Sequence, residues 1–315
     1  MKKRELGNSG IEIYPLALGG NVFGWTVDET TAFSILDAFV GAGGNLIDTA
    51  DSYSTWVTGH KGGESETIIG KWLKKSGNRG RVVIATKVGS EVGPGRKGLS
   101  KGYILRAVEE SLRRLQTDVI DLYQSHRDDP GTPVEETLEA YAHLVKQGKI
   151  RAIGASNFSA ERLSQSLQTS KERGYPAYQS LQPKYNLYDR SEYEQSFEPL
   201  CRENGLGVIT YYSLASGFLT GKYHSENDLT KSIRGQGVRL YLNKRGFRIL
   251  EALDQIAEKY NTKPATISLA WLMARPGITA PIASATSIEQ LSDLTAATRL
   301  DIDDSSLALL NKASG

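Results

Sequence analysis

The chain has a single cysteine in 315 residues, Cys201, so no internal disulfide can form. Cys201 falls in a helical pattern, where a free cysteine behaves as a small hydrophobe. No apolar run reaches membrane-spanning length. Lys2, Lys3 and Arg4 open the chain with no apolar segment behind them, so no secretory signal is expected. Formal net charge is only +2 and no block of like charge stands out. Neither nucleic acid nor a membrane surface is therefore an expected partner. P-loop, HExxH, CxxC and GxSxG patterns are absent. His60, His143 and His224 have no ligand-spaced neighbours, so no metal is expected. These absences leave a cytoplasmic protein with a small-molecule partner; no residue pattern sets its oligomeric state.

What is present is 39% hydrophobic residues and 32 glycines. That supports one large core, a single domain over 1–315, with many tight turns between elements. Short apolar runs alternate with helical patterns, and each run ends on a polar residue. Pro15 to Leu18 is stopped by Gly19-Gly20. Asn45 to Asp48 ends on Asp48, Val82 to Lys87 on Lys87, and Val119 to Tyr123 runs out toward His126. Ile150 to Ala155 leads into Ser156-Asn157, Ser180 to Gln182 ends on Gln182, Gly207 to Tyr211 on Tyr211, and Ile278 to Ile282 completes the set. Eight strand–helix units predict a closed (β/α)8 TIM barrel, with an N-terminal hairpin over 3–14 able to plug one end.

Helix starts are marked by Asp28, Ser100 and Ser159 as N-caps, with Phe33, Leu36 and Val40 as the inner face of the first helix. Capping boxes are expected at Thr132-Pro133-Val134-Glu135 and Ser287-Ile288-Glu289-Gln290. A helix follows Tyr193, others span Arg245 to Lys259 and Pro264 to Ala274, and Asp303 to Leu310 closes the chain. Ser213 to Lys244 breaks the rhythm and reads as a mobile lid or binding loop. Gly93 to Gly98 fits GxGxxG, but Pro94 stiffens it, its strand ended at Lys87, and Asp118 precedes the next strand. It reads as a surface loop rather than a dinucleotide fingerprint.

In a parallel barrel every strand's C-terminal end opens on one rim, and that rim carries the chemistry. Asp48 and Lys87 on neighbouring strands read either as a structural ion pair or as part of a relay. Tyr53 lies five residues past Asp48, within reach of the same rim. An ammonium beside a phenol is expected to lower its pKa, giving a tuned general acid. His126 could hydrogen-bond a substrate oxygen.

The run Gly44-Asn45-Leu46-Ile47-Asp48-Thr49-Ala50-Asp51-Ser52-Tyr53 closely resembles the first signature of the aldo-keto reductases. Ala85-Thr86-Lys87 resembles their lysine strand and Tyr123-Gln124-Ser125-His126-Arg127 their histidine strand. Gly154 to Phe158, Leu181 to Asn186, and Tyr211 through Tyr223 resemble their cofactor segments. The resemblance covers roughly residues 3–295.

It implies NADPH-dependent reduction of an aldehyde, ketone or sugar carbonyl, with Tyr53 as acid/base, Lys87 and Asp48 tuning it, and His126 orienting the carbonyl. It implies that Ser156, Asn157 and Gln182 hold the nicotinamide carboxamide while Tyr211 stacks on the ring and fixes the hydride-donating face. Gly20, Asn21 and Asp48 would contact the cofactor, and Tyr212, Leu214 and Ser216 would lie along its pyrophosphate. Ser284, Thr286, Ser287, Gln290 and Asp293 would hold the adenosine phosphate. Relatives often carry a basic residue near position 286 and an Asn near Leu294, so NAD is less excluded than usual, although hydroxyls and helix N–H groups can bind phosphate. Relatives also often place Gly where this chain has Ser54. Phe23, Trp25 and Trp56 are candidate walls of the substrate pocket, with His126. Two rivals are a non-catalytic cofactor-binding partner protein of the channel-β-subunit type and a Schiff-base lyase built on Lys87.

Overall fold

Val- and Ile-rich runs, hidden on both faces by crossover helices, form a closed parallel barrel because each strand must pair on both edges. The computed structural model describes residues 2–315; Met1, the first residue of the expected 1–315 domain, lies outside the described residues. A two-stranded antiparallel hairpin comes first, β1 (Arg4–Glu5) with β2 (Glu12–Ile13). The barrel strands are β3 (Ala17–Gly19), β4 (Leu46–Asp48), β5 (Val83–Val88), β6 (Ile120–Ser125), β7 (Ile150–Ser156), β8 (Tyr178–Gln182), β9 (Gly207–Thr210) and β10 (Ile278–Ala283). They run in that order around the ring and close through β10 against β3. This is the (β/α)8 TIM barrel with an N-terminal hairpin.

The helices are α1 (Glu29–Gly41), α2 (Glu64–Ser76), α3 (Lys101–Leu115), α4 (Val134–Lys146), α5 (Ala160–Arg173), α6 (Glu198–Glu203), α7 (Lys244–Lys259), α8 (Pro264–Ala274), α9 (Ile288–Ala296) and α10 (Asp304–Ser314). A π-helical turn, Tyr193–Phe197, leads into α6. Their inner faces and the outward strand residues make the larger apolar core. The hairpin supplies Leu6, Ile11 and Ile13 to a second cluster inside the barrel, with Leu46, Val83, Leu122 and Ile209. Arg4 pins it by donating to the carbonyls of Met273 and Ile278. Gly7, at φ +60, presses against β8: a Cβ there would lie 2.1 Å from the Gln179 carbonyl oxygen. The plug closes the N-terminal end, leaving the other end for chemistry.

Several local expectations need correction. The first barrel strand starts at Ala17, not Pro15, since Pro15 has no N–H and the Tyr14 N–H donates to Asn45 Oδ1. Asp28 and Ser159 cap their helices through side chains, but Ser100 makes no side-chain cap. The Thr132 box does not form: Pro133 is the N-cap and the Thr132 hydroxyl donates to Asp129 instead. Phe33 is only partly buried, under Lys75 Nζ at 5.3 Å; Ala32, Ile35 and Phe39 join Leu36 and Val40 on the inner face. Ser213 to Lys244, read as a lid or binding loop, has local structure of its own. It holds three 3-10 helices, Ala215–Thr220, Glu226–Lys231 and Gly235–Tyr241. Its Phe218 and Tyr241 rings stack at 5.3 Å. Gly93 to Gly98 is a surface turn, as expected. Cys201 is buried, and burial pushes its thiol up to about 12.

Candidate active site

Strand ends deliver the predicted side chains to one rim. Asp48 closes β4, Lys87 lies one residue before the end of β5, and Tyr53 folds back from the loop after β4. Lys87 Nζ donates to Asp48 Oδ2 at 2.6 Å, to the Thr49 carbonyl at 2.8 Å and to the Tyr53 hydroxyl at 2.7 Å. All three ammonium protons are thus engaged, on a side chain with no solvent exposure. The Tyr53 hydroxyl in turn donates to Asp48 Oδ2 at 3.2 Å. Burial lowers the Lys87 pKa, and Asp48 opposes that shift.

Tyr53 departs from expectation. Burial first, then the Asp48 charge and the bond to it, push its phenol well above the ordinary value. Lys87 does not bring it below that value, because the adjoining carboxylate offsets the ammonium and both sit in a poorly solvated site. Tyr53 is held as the protonated acid.

His126 follows β6. Its Nδ1 lies 3.2 Å from Ser52 Oγ, and its ring packs edge-on to Tyr53 at 5.9 Å. Burial, then Lys87 and Arg127, hold it well below the usual histidine pKa, so the imidazole is neutral. A Ser52 hydroxyl donating to Nδ1 leaves Nε2–H as the free donor.

The expected carboxamide residues are already knit together. Ser156 Oγ donates to the Gln182 carbonyl. Asn157 Nδ2 donates to the His126 carbonyl and to Ser156 Oγ, and Asn157 Oδ1 accepts from the Tyr211 hydroxyl at 2.8 Å. Gln182 Nε2 donates to Asp48 Oδ1 and to Gln124 Oε1. The groups left over are acceptors, Gln182 Oε1 and the second lone pair of Asn157 Oδ1, suited to an incoming amide N–H.

Backbone strain gathers at the same rim. Ser54 (φ 74), Asn157 (φ 53), Tyr212 (φ 56), Ala215 (φ 48) and Ser216 (φ 58) are all left-handed. Each costs of order 1–3 kcal/mol, and such strain clusters at functional sites. Ser54 is where relatives often place Gly, and its φ supplies the reason; its Oγ donates to the Phe23 carbonyl. Leu214 is half-buried beside this turn, and Tyr212 is 50% exposed under Lys184.

Of the remaining residues, Gly20 is buried and its carbonyl accepts from Ser65; Asn21 Oδ1 accepts from Ser284 Oγ at 2.6 Å, joining the loop after β3 to the end of β10. At the start of α9, Ser287 Oγ accepts from the Gln290 N–H, but Gln290 Oε1 reaches Thr286 N and Oγ1 rather than Ser287 N. The reciprocal box is therefore displaced by one residue. Glu289 adds a carboxylate to this first turn, and Asp293 lies in the second, its carbonyl accepting from Thr266. Trp25 and Trp56 meet edge-to-face at 5.5 Å, with Trp56 6.2 Å from Tyr53, and form a wall. Phe23 does not belong to it: its side chain is fully buried in the core and offers no surface to a substrate.

The aldo/keto reductase family model matches residues 15–314. The chain belongs to the aldo/keto reductase family. It is 37% identical to the uncharacterized oxidoreductase YrpG of Bacillus subtilis (strain 168), over 99% of this chain and 95% of that protein. It is 34% identical to the aldo-keto reductase YhdN of the same organism, over 94% and 89%. It is also 33% identical to a probable voltage-gated potassium channel subunit beta of Oryza sativa subsp. japonica, over 92% and 89%.

Sequence reasoning missed three residues of this aldo/keto reductase rim. Ser52, one residue before Tyr53, holds His126. Gln124 precedes His126 by two, and the period-two rule for strands was the available signal. Arg234, from the long segment after β9, lies 4.9 Å over the Trp25 ring with Nη2 buried and unpartnered. No periodicity could have announced it. Among the described residues no cluster of three or more His, Cys, Asp or Glu could hold a metal, and no helix is long and apolar enough to cross a membrane.

Proposed function

We propose that this oxidoreductase reduces aldehyde, ketone or sugar carbonyls to alcohols, with NADPH as donor and Tyr53 as general acid. Bound NADPH would supply a hydride to the carbonyl carbon. The observation that carries the reading is the contact of Lys87 Nζ with both Asp48 Oδ2 and the Tyr53 hydroxyl. His126 Nε2–H orients the carbonyl oxygen, and Tyr53 gives its proton to the oxygen as charge develops there. Lys87 then stabilises the tyrosinate, and Asp48 keeps Lys87 charged. A phenol held above its ordinary pKa is almost wholly protonated at neutral pH. The reverse oxidation needs the tyrosinate, so it should gain relative to reduction as pH rises.

The residues fit a nicotinamide dinucleotide. Gln182 Oε1 and Asn157 Oδ1 suit a carboxamide, the Tyr211 hydroxyl bonds to Asn157, and the Arg234 guanidinium, stacked on Trp25 with Nη2 buried and unpartnered, could meet an anion. Ser156, Tyr212, Leu214 and Ser216 would line the path, and Gly20, Asn21 and Ser284 its far side. Thr286, Ser287, Gln290 and Asp293 would surround the adenosine phosphate. Trp25, Trp56 and His126 would wall a small-molecule substrate.

The test is a screen of aldehydes, ketones and sugars with purified protein, following NADPH absorbance. Turnover of any class supports the proposal; none, with NADPH bound, favours the second reading. That reading is a non-catalytic partner protein, and its support is the likeness to a probable channel subunit beta. A Schiff-base lyase is disfavoured, because Lys87 is fully buried with every proton donated.

A further inference from the structure

We infer that Gln124 is a positioning residue for the proton-transfer cluster, fixing the plane of the Asp48 carboxylate. The inference rests on the proton-transfer reading above.

Gln124 lies on β6, in register with Lys87 on β5 and with Gly154 on β7. It is fully buried at the barrel centre. A buried carboxamide needs partners or it destabilises the fold. Gln124 Nε2 donates to Asp48 Oδ1 at 3.3 Å, and its Oε1 accepts from Gln182 Nε2 at 3.2 Å. The same Gln182 nitrogen donates to Asp48 Oδ1 at 2.9 Å. A carboxylate only accepts, so both amide nitrogens must face Asp48 and neither glutamine can be turned over.

The two oxygens of Asp48 are thus divided. Oδ1 takes two amide donors; Oδ2 takes Lys87 and Tyr53. Anchoring Oδ1 stops the carboxylate from rotating, which keeps Oδ2 aimed at the pair that moves the proton. Gly154 makes room for this: a Cβ there would lie 3.1 Å from Gln124 Cγ and 2.4 Å from Ser180 Oγ. Both N–H groups of Gln182 are used inside the network. A ligand that draws an N–H away from Gln182 takes it from Asp48 or from Gln124. Gln124 is fully buried, so no ligand competes directly for its donation to Asp48.

Two variants test this. Gln124→Met keeps the length and removes the donor. It should lower kcat about tenfold or more, as expected for a lost hydrogen bond to a charged group. The pH–kcat profile should move, because the cluster that titrates is no longer held. Gln124→Glu donates to Asp48 when protonated and repels it when ionised. Its activity relative to wild type should rise as pH falls, whereas a packing role predicts the same loss at every pH. Gln124→Met turnover within about twofold of wild type and an unmoved profile would overturn the inference. So would a Gln124→Glu ratio that is flat with pH; that variant carries the test if Gln124→Met does not fold. A crystal structure of Gln124→Met reads the geometry without turnover. Asp48 turned from Lys87 supports positioning even if wild type reduces no carbonyl, and that latter result would count against the proton-transfer reading alone. An unmoved Asp48 counts against positioning alone.

Discussion

Gln182 and Asp48 lie 134 positions apart in sequence and meet in a 2.9 Å hydrogen bond at the barrel rim. Gln182 was expected to serve a cofactor, and Asp48 both the cofactor and a proton relay. The bond makes them one network, so changes on the cofactor side should register in the proton chemistry, and the reverse.

Tyr53→Phe should abolish carbonyl reduction while leaving cofactor affinity nearly intact. The ring and its contacts with Trp56 and His126 remain, and only the proton donor goes. A positioned general acid is worth roughly 10²–10⁴-fold. Steady-state kinetics and a cofactor titration check it; a loss under about tenfold, well short of that range, would remove Tyr53 from the acid role.

Lys87→Met should unsettle the fold as well as the chemistry. It leaves Asp48 buried at 2% exposure without its cation. Breaking a buried pair on one side costs about 3–5 kcal/mol. Denaturant melts should therefore show Lys87→Met less stable than wild type by about that amount, and inactive. Stability equal to wild type would show that the Asp48 charge is satisfied without Lys87.

His126 makes stability depend on pH. Its folded pKa is depressed, so the folded state stays neutral where the unfolded chain takes up a proton. The contribution is complete above the unfolded value near ~6.5 and declines as pH falls below it, by up to about 1.4 kcal/mol per pH unit. Urea melts from neutral pH to ~5 should show that slope, and His126→Gln should flatten it. A slope that survives the substitution belongs to other groups.

Thr286→Arg should tighten NADPH relative to NADH. A guanidinium there can pair with the 2′-phosphate, which NADH lacks. It would also face Glu289, the carboxylate in the first turn of α9. Fluorescence titrations of both cofactors at fixed salt give the ratio of Kd values. No gain for NADPH would place residue 286 away from the phosphate. A wild-type preference for NADH would make the absence of a basic residue at 286 functional and displace NADPH as the donor.

Local sequence determined the barrel because period and punctuation are local properties. Apolar runs of strand length, helix caps such as Asp28 and Ser159, and the polar residue at each strand end all lie within a few positions of one another. The aldo/keto reductase signatures around Asp48, Tyr53, Lys87 and His126 were legible for the same reason. Only the tertiary structure decided which polar groups meet. It moved Phe23 into the core, turned Gln290 onto Thr286 instead of Ser287, and brought Arg234 from the long segment onto Trp25. It raised the Tyr53 pKa where the neighbouring ammonium alone predicted a fall, because burial and a second charge act through space. It also placed Gln124 beside Asp48, because strand register, not chain order, sets which side chains share a barrel layer.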